Sequence, residues 1–391
     1  MKFNIAILVA IFGLAHDALS RSFILHTVDT NFLGGQNAQN AITTAVPFLL
    51  ISPDSRHAAL GDGGVATTPD ANSAYWNAAK LAFTEKEYGA SLSYTPWLGK
   101  IVNDMSISSL SGFYKITREQ AVAVSMKYFD IGVIAFRDIN NISTGDFHPR
   151  EFAFDATYSR KLSENFSLGL TGRYISSNLT AGYIGSDAKT AHSVAADIGA
   201  YYTKDLKGAK NSNLSLGASI SNIGAKITYS DNNNKSFLPT NLRIGSAYKT
   251  ELDTYNSLTF IVDFNKLLVP SPTANGNNQD KPLLSGMLGS FADAPGGAKE
   301  EFQEIMTSLG IEYWYNQIFA GRLGYFNEAK NKGNRKYFTV GLGFRKNTFG
   351  IDVAYLVPTN KRESPLAETI RFTILFQFDK IRADEEESVT D

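Results

Sequence analysis

The sequence predicts an all-β fold: a transmembrane antiparallel β-barrel of about 14 strands closing around an N-terminal plug. Three observations carry this expectation. The chain alternates with period two from Tyr88 onward, its mid-strand charges avoid the apolar face, and short turns alternate with long loops.

The alternation is clearest in two stretches. Between 165 and 176, Phe166, Leu168, Leu170 and Tyr174 share one face, and Ser167, Thr171 and Arg173 the other. Between 369 and 378, Ile370, Phe372, Ile374, Phe376 and Phe378 oppose Arg371, Thr373 and Gln377. The charges Asp155, Arg173, Asp197, Arg243, Asp263, Glu312, Arg322, Asp352 and Arg371 all fall opposite the apolar series. A soluble sandwich also alternates, but an apolar exterior around a charged, hydrated lumen is the pattern of a membrane barrel. On that assignment Phe372→Arg is costly and Thr373→Arg, facing water, is mild.

Strands are expected near 88–96, 104–117, 120–138, 149–161, 164–176, 192–204, 213–229, 240–250, 256–265, 308–316, 318–327, 336–346, 348–357 and 368–378. The third is long, and keeping it whole preserves an even count. Turns near 117–119, 163–164, 206–212, 250–255, 317 and 347 alternate with links at 97–103, 139–148, 177–191, 230–239, 266–307, 327–335 and 358–368. Short periplasmic turns and long extracellular loops follow from barrel insertion, and even parity puts both termini in the periplasm.

The regions then read in order. Lys2, an apolar run from Ile5 to Ala15 and the small residues around Ala18 and Ser20 make 1–20 a signal peptide. The run is too short to span a bilayer. Residues 21–86 form an extension and the plug: Pro47, Pro53, Pro69, Gly61, Gly63 and Gly64 break the alternation there. The barrel occupies 87–379, and 380–391, with its Asp384-Glu385-Glu386-Glu387 run, is an acidic periplasmic tail. The loop 266–307 stands out, since a structureless loop so long is unusual. It opens polar, passes through Leu283, Leu284, Met287, Leu288 and Phe291, and ends with helical spacing over 298–309, where Phe302, Ile305, Met306 and Leu309 share a face. It reads as a lid over its own barrel mouth, as a partner site, or as both.

Catalytic chemistry is not visible. Cysteine is absent, which removes thiolate metal sites, thiol nucleophiles and lipoprotein acylation. His16, His26, His57, His148 and His192 are scattered, with no H-x-x-x-H, and no nucleophile elbow, Walker loop or dinucleotide fingerprint occurs. No cofactor is expected. The net charge of −1 argues against a nucleic-acid partner.

The residues Phe48-Leu49-Leu50-Ile51-Ser52-Pro53-Asp54-Ser55-Arg56, Gly61-Asp62-Gly63-Gly64-Val65-Ala66-Thr67 and Pro69-Asp70-Ala71-Asn72-Ser73-Ala74-Tyr75-Trp76-Asn77 resemble the plug of the PorV family. Ser93-Tyr94-Thr95-Pro96-Trp97-Leu98, Asp293-Ala294-Pro295-Gly296-Gly297, Glu312-Tyr313-Trp314-Tyr315-Asn316, Tyr355-Leu356-Val357-Pro358 and the 371–378 strand extend the resemblance along the mature chain from about Val46. These proteins are FadL-like barrels, whose plugs carry Asn-Pro-Ala where this chain has Asn77-Ala78-Ala79. The resemblance implies a plug motif at Asp54, Arg56, Asp62, Asp70, Asn72, Trp76 and Asn77. It also implies an outer-membrane shuttle of the type IX secretion system. Such a shuttle binds the C-terminal signal domain of secreted cargo outside the cell, takes it from a large translocon barrel, and passes it to a sortase for surface attachment. Physical reasoning adds a location on the extracellular rim, with Trp97, Leu98, Leu283, Leu284, Met287 and Phe291 as candidate cargo contacts. The alternative is a FadL-like channel for hydrophobic small molecules, which the polar lumen disfavours. An enzyme acting on lipopolysaccharide acyl chains is a third reading without a visible catalytic constellation.

Overall fold

The computed structural model describes residues 41–98, 104–137, 140–179, 189–206, 211–229, 235–273, 280–359 and 369–379. The expected signal peptide 1–20, the residues 21–40 and the acidic tail 380–391 lie outside the described residues.

Fourteen strands close into one antiparallel barrel. They are β1 (Tyr88–Pro96), β2 (Ser106–Lys115), β3 (Gln120–Asp130), β6 (Arg150–Lys161), β7 (Phe166–Asn178), β8 (Ala191–Leu206) and β9 (Ser212–Gly224), followed by β10 (Asn241–Glu251), β11 (Asn256–Leu267), β12 (Met306–Tyr315), β13 (Phe319–Asn327), β14 (Lys336–Lys346), β15 (Phe349–Pro358) and β16 (Ile370–Phe378). β1 pairs with β16, Leu92 opposite Ile374, so no edge remains open. The long connections all leave one end of the barrel and the short ones the other. Asn316 and Gln317 both take left-handed backbone in the β12–β13 turn, the geometry that matches strand twist in tight hairpins.

The faces are as the alternation predicts. Leu168, Leu170, Tyr174, Phe372, Ile374 and Phe376 are exposed on the outer surface, while the nine mid-strand charges are all buried on the inner one. Outward aromatic pairs band both ends: Tyr88 with Phe378 and Phe349 with Phe376 at the turn end, Tyr325 with Phe338 and Phe152 with Tyr174 at the loop end. Such girdles flank the hydrocarbon belt of membrane barrels. No helix among the described residues is long and apolar enough to cross a membrane.

Three expectations are corrected. The third strand does not run to 138. It stops at Asp130, where Gly132 takes a positive φ of 80° and its N–H bonds to the Asp130 carboxylate at 3.0 Å. Beyond it, β4 (Ile134–Arg137) and β5 (Ser143–Phe147) make a separate two-stranded hairpin within the long link. The stretch 298–309 is not one helix either. Helical turns end at Gln303, and Met306 already pairs with Asn265, because closing the β11–β12 ladder outweighs one amphipathic turn. Finally, the inner face is not hydrated at the mid-strand charges, because residues 44–84 lie against it.

Candidate functional site

Among the described residues, most buried polar side chains outside the strands belong to 44–84. Proline opens a 3₁₀ turn at Pro47–Leu50. A one-turn helix follows, α1 (Ser55–Ala58), then a second, α2 (Ser73–Trp76), and another 3₁₀ turn at Ala78–Phe83. Asp54 caps α1 by accepting from the His57 N–H at 3.1 Å. Asn77 caps the last turn, accepting from Ala79 N–H at 3.1 Å, while its amide donates to Val65 O and, across the lumen, to Ala200 O at 2.9 Å. That side-chain cap organises the turn in which Ala78 stands where the resemblance would place proline.

This inner segment is bonded around the whole wall. Ser55 N–H donates to Thr373 on β16, Gly61 N–H to Thr339 on β14, and Gly64 and Val65 N–H to Asp263 on β11. Ser159 and Ser167 on β6 and β7 donate to Ala79 O, Ser111 on β2 to Ala71 O, and Lys127 on β3 to Ile51 O. Inward wall positions are glycine where its backbone passes: a Cβ at Gly217 or Gly324 would collide with the backbone of Val65 or Gly61.

Arg56 joins the segment to a chain of charges in the wall. Its Nε and Nη2 donate to the two carboxylate oxygens of Glu312 at 3.0 and 2.8 Å, and Nη1 to Asp70 at 2.9 Å. Glu312 also accepts from Arg322 at 2.7 Å, and Arg322 reaches Asp352 at 2.7 Å. Burial works against the Arg56 charge, but Glu312 and Asp70 hold it above the ordinary arginine range. Asp62, on the same segment, accepts from the Tyr337 hydroxyl at 2.5 Å.

The second cluster was not legible in the sequence. Asp54 meets His57 Nδ1 at 2.7 Å and Trp76 Nε1 at 2.9 Å; His57 Nε2 meets Thr67 Oγ1 at 2.9 Å; Lys80 Nζ donates to Thr67 Oγ1 and Gly64 O at 2.8 Å. The acid–histidine–hydroxyl order imitates a nucleophile relay. It is sealed, however: Asp54, His57 and Lys80 have no exposed surface, and a Cβ at Gly64 would strike His57 and Trp76 at 2.6 Å. No substrate can reach Thr67, so the cluster is a polar core of the segment. The one readable hint is Asp54 three residues ahead of His57.

Burial pushes the Lys80 ammonium down to about 8, against the pull of Asp70. The folded value lies below the unfolded lysine value of about 10.4, so between them the unfolded state binds more protons. Stability should therefore rise from pH 8 to 10, by about 2 kcal/mol from this group. Denaturant midpoints across that range should lose this rise in Lys80→Met; equal slopes in both proteins would refute it.

Above the inner segment, the loop end is closed by an apolar layer. Val46, Phe48 and Leu49 pack with Ile107, Phe129, Ile175 and Leu238, and Trp97 packs partly buried against them. Trp97 is thus a wall of the mouth rather than an exposed anchor, with half-buried Leu98 beside it in left-handed backbone. At the turn end, a cavity of about 820 Å³ is lined by Phe83, Tyr201, Thr203, Ser215, Lys249 and Glu251.

The link between β11 and β12 carries two short helices, α3 (Leu283–Gly289) and α4 (Ala298–Gln303). Met287 is buried and Leu283 half-buried, while Gly286 approaches Phe237 and Pro270 so closely that a Cβ there would sit 2.8 Å from the ring. Leu284, Leu288 and Phe291 face outward, at 67%, 75% and 49% exposure, with Phe302 of α4 at 74%. Of the six rim candidates, the structure therefore exposes Leu284 and Phe291 and turns Met287 inward. Leu288 and Phe302 join the exposed surface.

The family described as type IX secretion system protein PorV matches over residues 34–274. No curated protein matches the sequence. Among solved structures, a TodX deltaS2S3 mutant monoaromatic hydrocarbon channel superposes with a TM-score of 0.52 at 12% identity, covering 84% of this chain and 99% of that one. The Ralstonia pickettii toluene transporter TbuX gives 0.49 at 11% (85% and 100% covered), and a Pseudomonas aeruginosa FadL homologue 0.45 at 12% (88% and 100%). At such identities the likeness is one of fold.

Proposed function

The chain belongs to the PorV family of type IX secretion system proteins, and we propose that this outer-membrane barrel is the receptor that takes up secreted cargo on the extracellular side. In this reading residues 44–84 are a plug, the loop end faces outward, and both termini are periplasmic. Cargo arrives from the translocon barrel, is held by its C-terminal signal domain, and is handed to the sortase.

The observation that supports this best is the exposed apolar surface of Leu284, Leu288, Phe291 and Phe302 on the largest loop. Large apolar groups clustered outside the lipid belt are typical anchors of protein interfaces. Trp97, Leu98 and Leu283 border it as secondary contacts, and Met287 supports it from beneath.

The test is capture of a purified cargo signal domain by the detergent-solubilised barrel. Replacing Leu284, Leu288 and Phe291 together with serine should leave heat-modifiable migration intact, because no wall strand rests on them. It should weaken capture at least about 100-fold, since each apolar anchor buried on binding is worth on the order of 1–2 kcal/mol. Normal capture by the assembled triple variant would move the site elsewhere on the rim. Surface proteomics of a deletion strain separates this reading from a channel for hydrophobic molecules. Retained cargo favours the receptor, whereas normal cargo with lost small-molecule uptake overturns it.

A further inference from the structure

We infer that Glu304 is the positioning residue of this docking surface, an inference that rests on reading the α3–α4 excursion as the cargo site. Glu304 is 4% exposed, yet its carboxylate holds three separate stretches of chain. One oxygen accepts from Lys266, at the end of β11, at 2.6 Å. The other accepts from Ser271 Oγ at 2.5 Å and from Lys332, in the β13–β14 loop, at 2.9 Å.

The neighbouring contacts make this junction a clasp. Lys332 also donates to Glu300 at 2.6 Å, Lys266 to Glu301 at 3.0 Å, and Asn331 to Gln303 at 2.7 Å, so three polar side chains of α4 are held by β11 or the β13–β14 loop. Glu301 further accepts from Ala294 N–H at 2.7 Å, which fixes the turn between the two helices. Asp293, between the two helices, accepts from the N–H of the same Ser271 and from Lys281.

The two helices of this link lie outside the sheet, and a helix of seven residues has little stability alone. The charges supply what the chain's propensity does not. Lysine and glutamate are a costly way to gain stability when buried, but they specify one arrangement, because every alternative leaves an unpaired charge. The consequence is a preformed apolar face, and a preformed face does not lose affinity to ordering on binding. Phe291 borders the clasp, its ring lying 6.0 Å from Lys266 Nζ. Glu304 itself touches no exposed surface, so its effect on cargo runs through position.

If the clasp sets the fraction of molecules with the face assembled, apparent affinity falls by that same fraction. The experiment compares full-length wild type, Glu304→Ala and Glu304→Gln in detergent, reading amide hydrogen exchange across 283–303, heat-modifiable migration, and rates of cargo signal-domain binding. Glu304→Ala should keep normal migration, lose at least about tenfold in protection across 283–303, and lose a matching factor in association rate with dissociation little changed. Glu304→Gln, which keeps an acceptor for Lys266 or Ser271, should fall between. Unchanged protection in Glu304→Ala, or lost protection with wild-type binding, overturns the inference. Should Glu304→Ala fail to assemble, Lys332→Ala breaks the same clasp from another loop and must show the same paired losses. The triple serine variant separates the two ideas: it should keep protection and lose binding. Normal binding there would refute the docking reading alone, while the exchange result for Glu304 would still decide the clasp.

Discussion

Arg56→Leu is expected to destabilise the barrel by about 3–5 kcal/mol, the usual cost of removing one partner from a buried ion pair. The magnitude follows from what stays behind. Asp70 loses its ion partner, the Thr68 carbonyl and hydroxyl lose their guanidinium donors, and Glu312 keeps only Arg322. Arg56→Lys should recover a minor part, because one ammonium cannot span Glu312, Asp70 and Thr68 at once. Urea titration followed by tryptophan fluorescence measures it, since Trp76 lies in the same segment. A shift corresponding to less than about 1 kcal/mol would mean that water or a neighbour repairs the gap. Limited proteolysis should also cut within 44–84 in the leucine variant and not in wild type.

The sequence made the wall legible because each strand declares itself locally. Phe372 and Thr373 differ in face by a period that needs no knowledge of their neighbours, and the register β14–β15 follows from the turn at Asn347. Long-range charge pairing had no such signature. Arg56 and Glu312 are 256 positions apart, and nothing in either neighbourhood names the other. The same holds for Glu304 with Lys332, and for Gly324, whose reason is the backbone of Gly61. The error over 298–309 had the opposite origin. Ile305, Met306 and Leu309 do fit a helical face, but strand pairing with β11 claims the last two. Of the rim candidates, Met287 turns inward, a choice that an apolar loop residue does not declare locally.

Sealing and docking are built from different material, and this constrains how the protein can work. The lumen is held by the Arg56 chain below and the Val46–Phe48–Leu49 layer above, both inside the wall. The α3–α4 excursion is held by Glu304 to Lys266, which shares the outward pleat of Phe264, and to the β13–β14 loop. The two sets of charges are separate, although Phe237 touches both regions, its ring lying against Gly286 of α3 and its carbonyl accepting from Ala45 N–H. Variants of Arg56 and of Glu304 should behave additively, since those two side chains have no hydrogen-bond partner in common.

The face assignment itself is open to a sharp test in which the structure reverses part of what alternation alone implies. Phe372→Arg places a charge on the outer surface of β16, where Phe372 is 46% exposed, and should cost about 2–4 kcal/mol if that level is near the bilayer midplane. Thr373→Arg, mild if its face met water, should instead be at least as damaging. Thr373 is 1% exposed, and its hydroxyl bonds to Ser55 N–H at 2.9 Å, Ser55 Oγ at 3.0 Å and Ser93 Oγ at 2.9 Å. An arginine there has no volume to enter and would expel α1 from the wall. The mild control is Gln377→Arg, on the same inward pleat but half-buried at the turn end, where a long side chain can reach water. Assembly yields from refolding into lipid vesicles should rank Gln377→Arg near wild type, with the other two well below it. If Thr373→Arg assembled like Gln377→Arg, residues 44–84 would not fill the lumen at that level. If Phe372→Arg did so, β16 would not face lipid there.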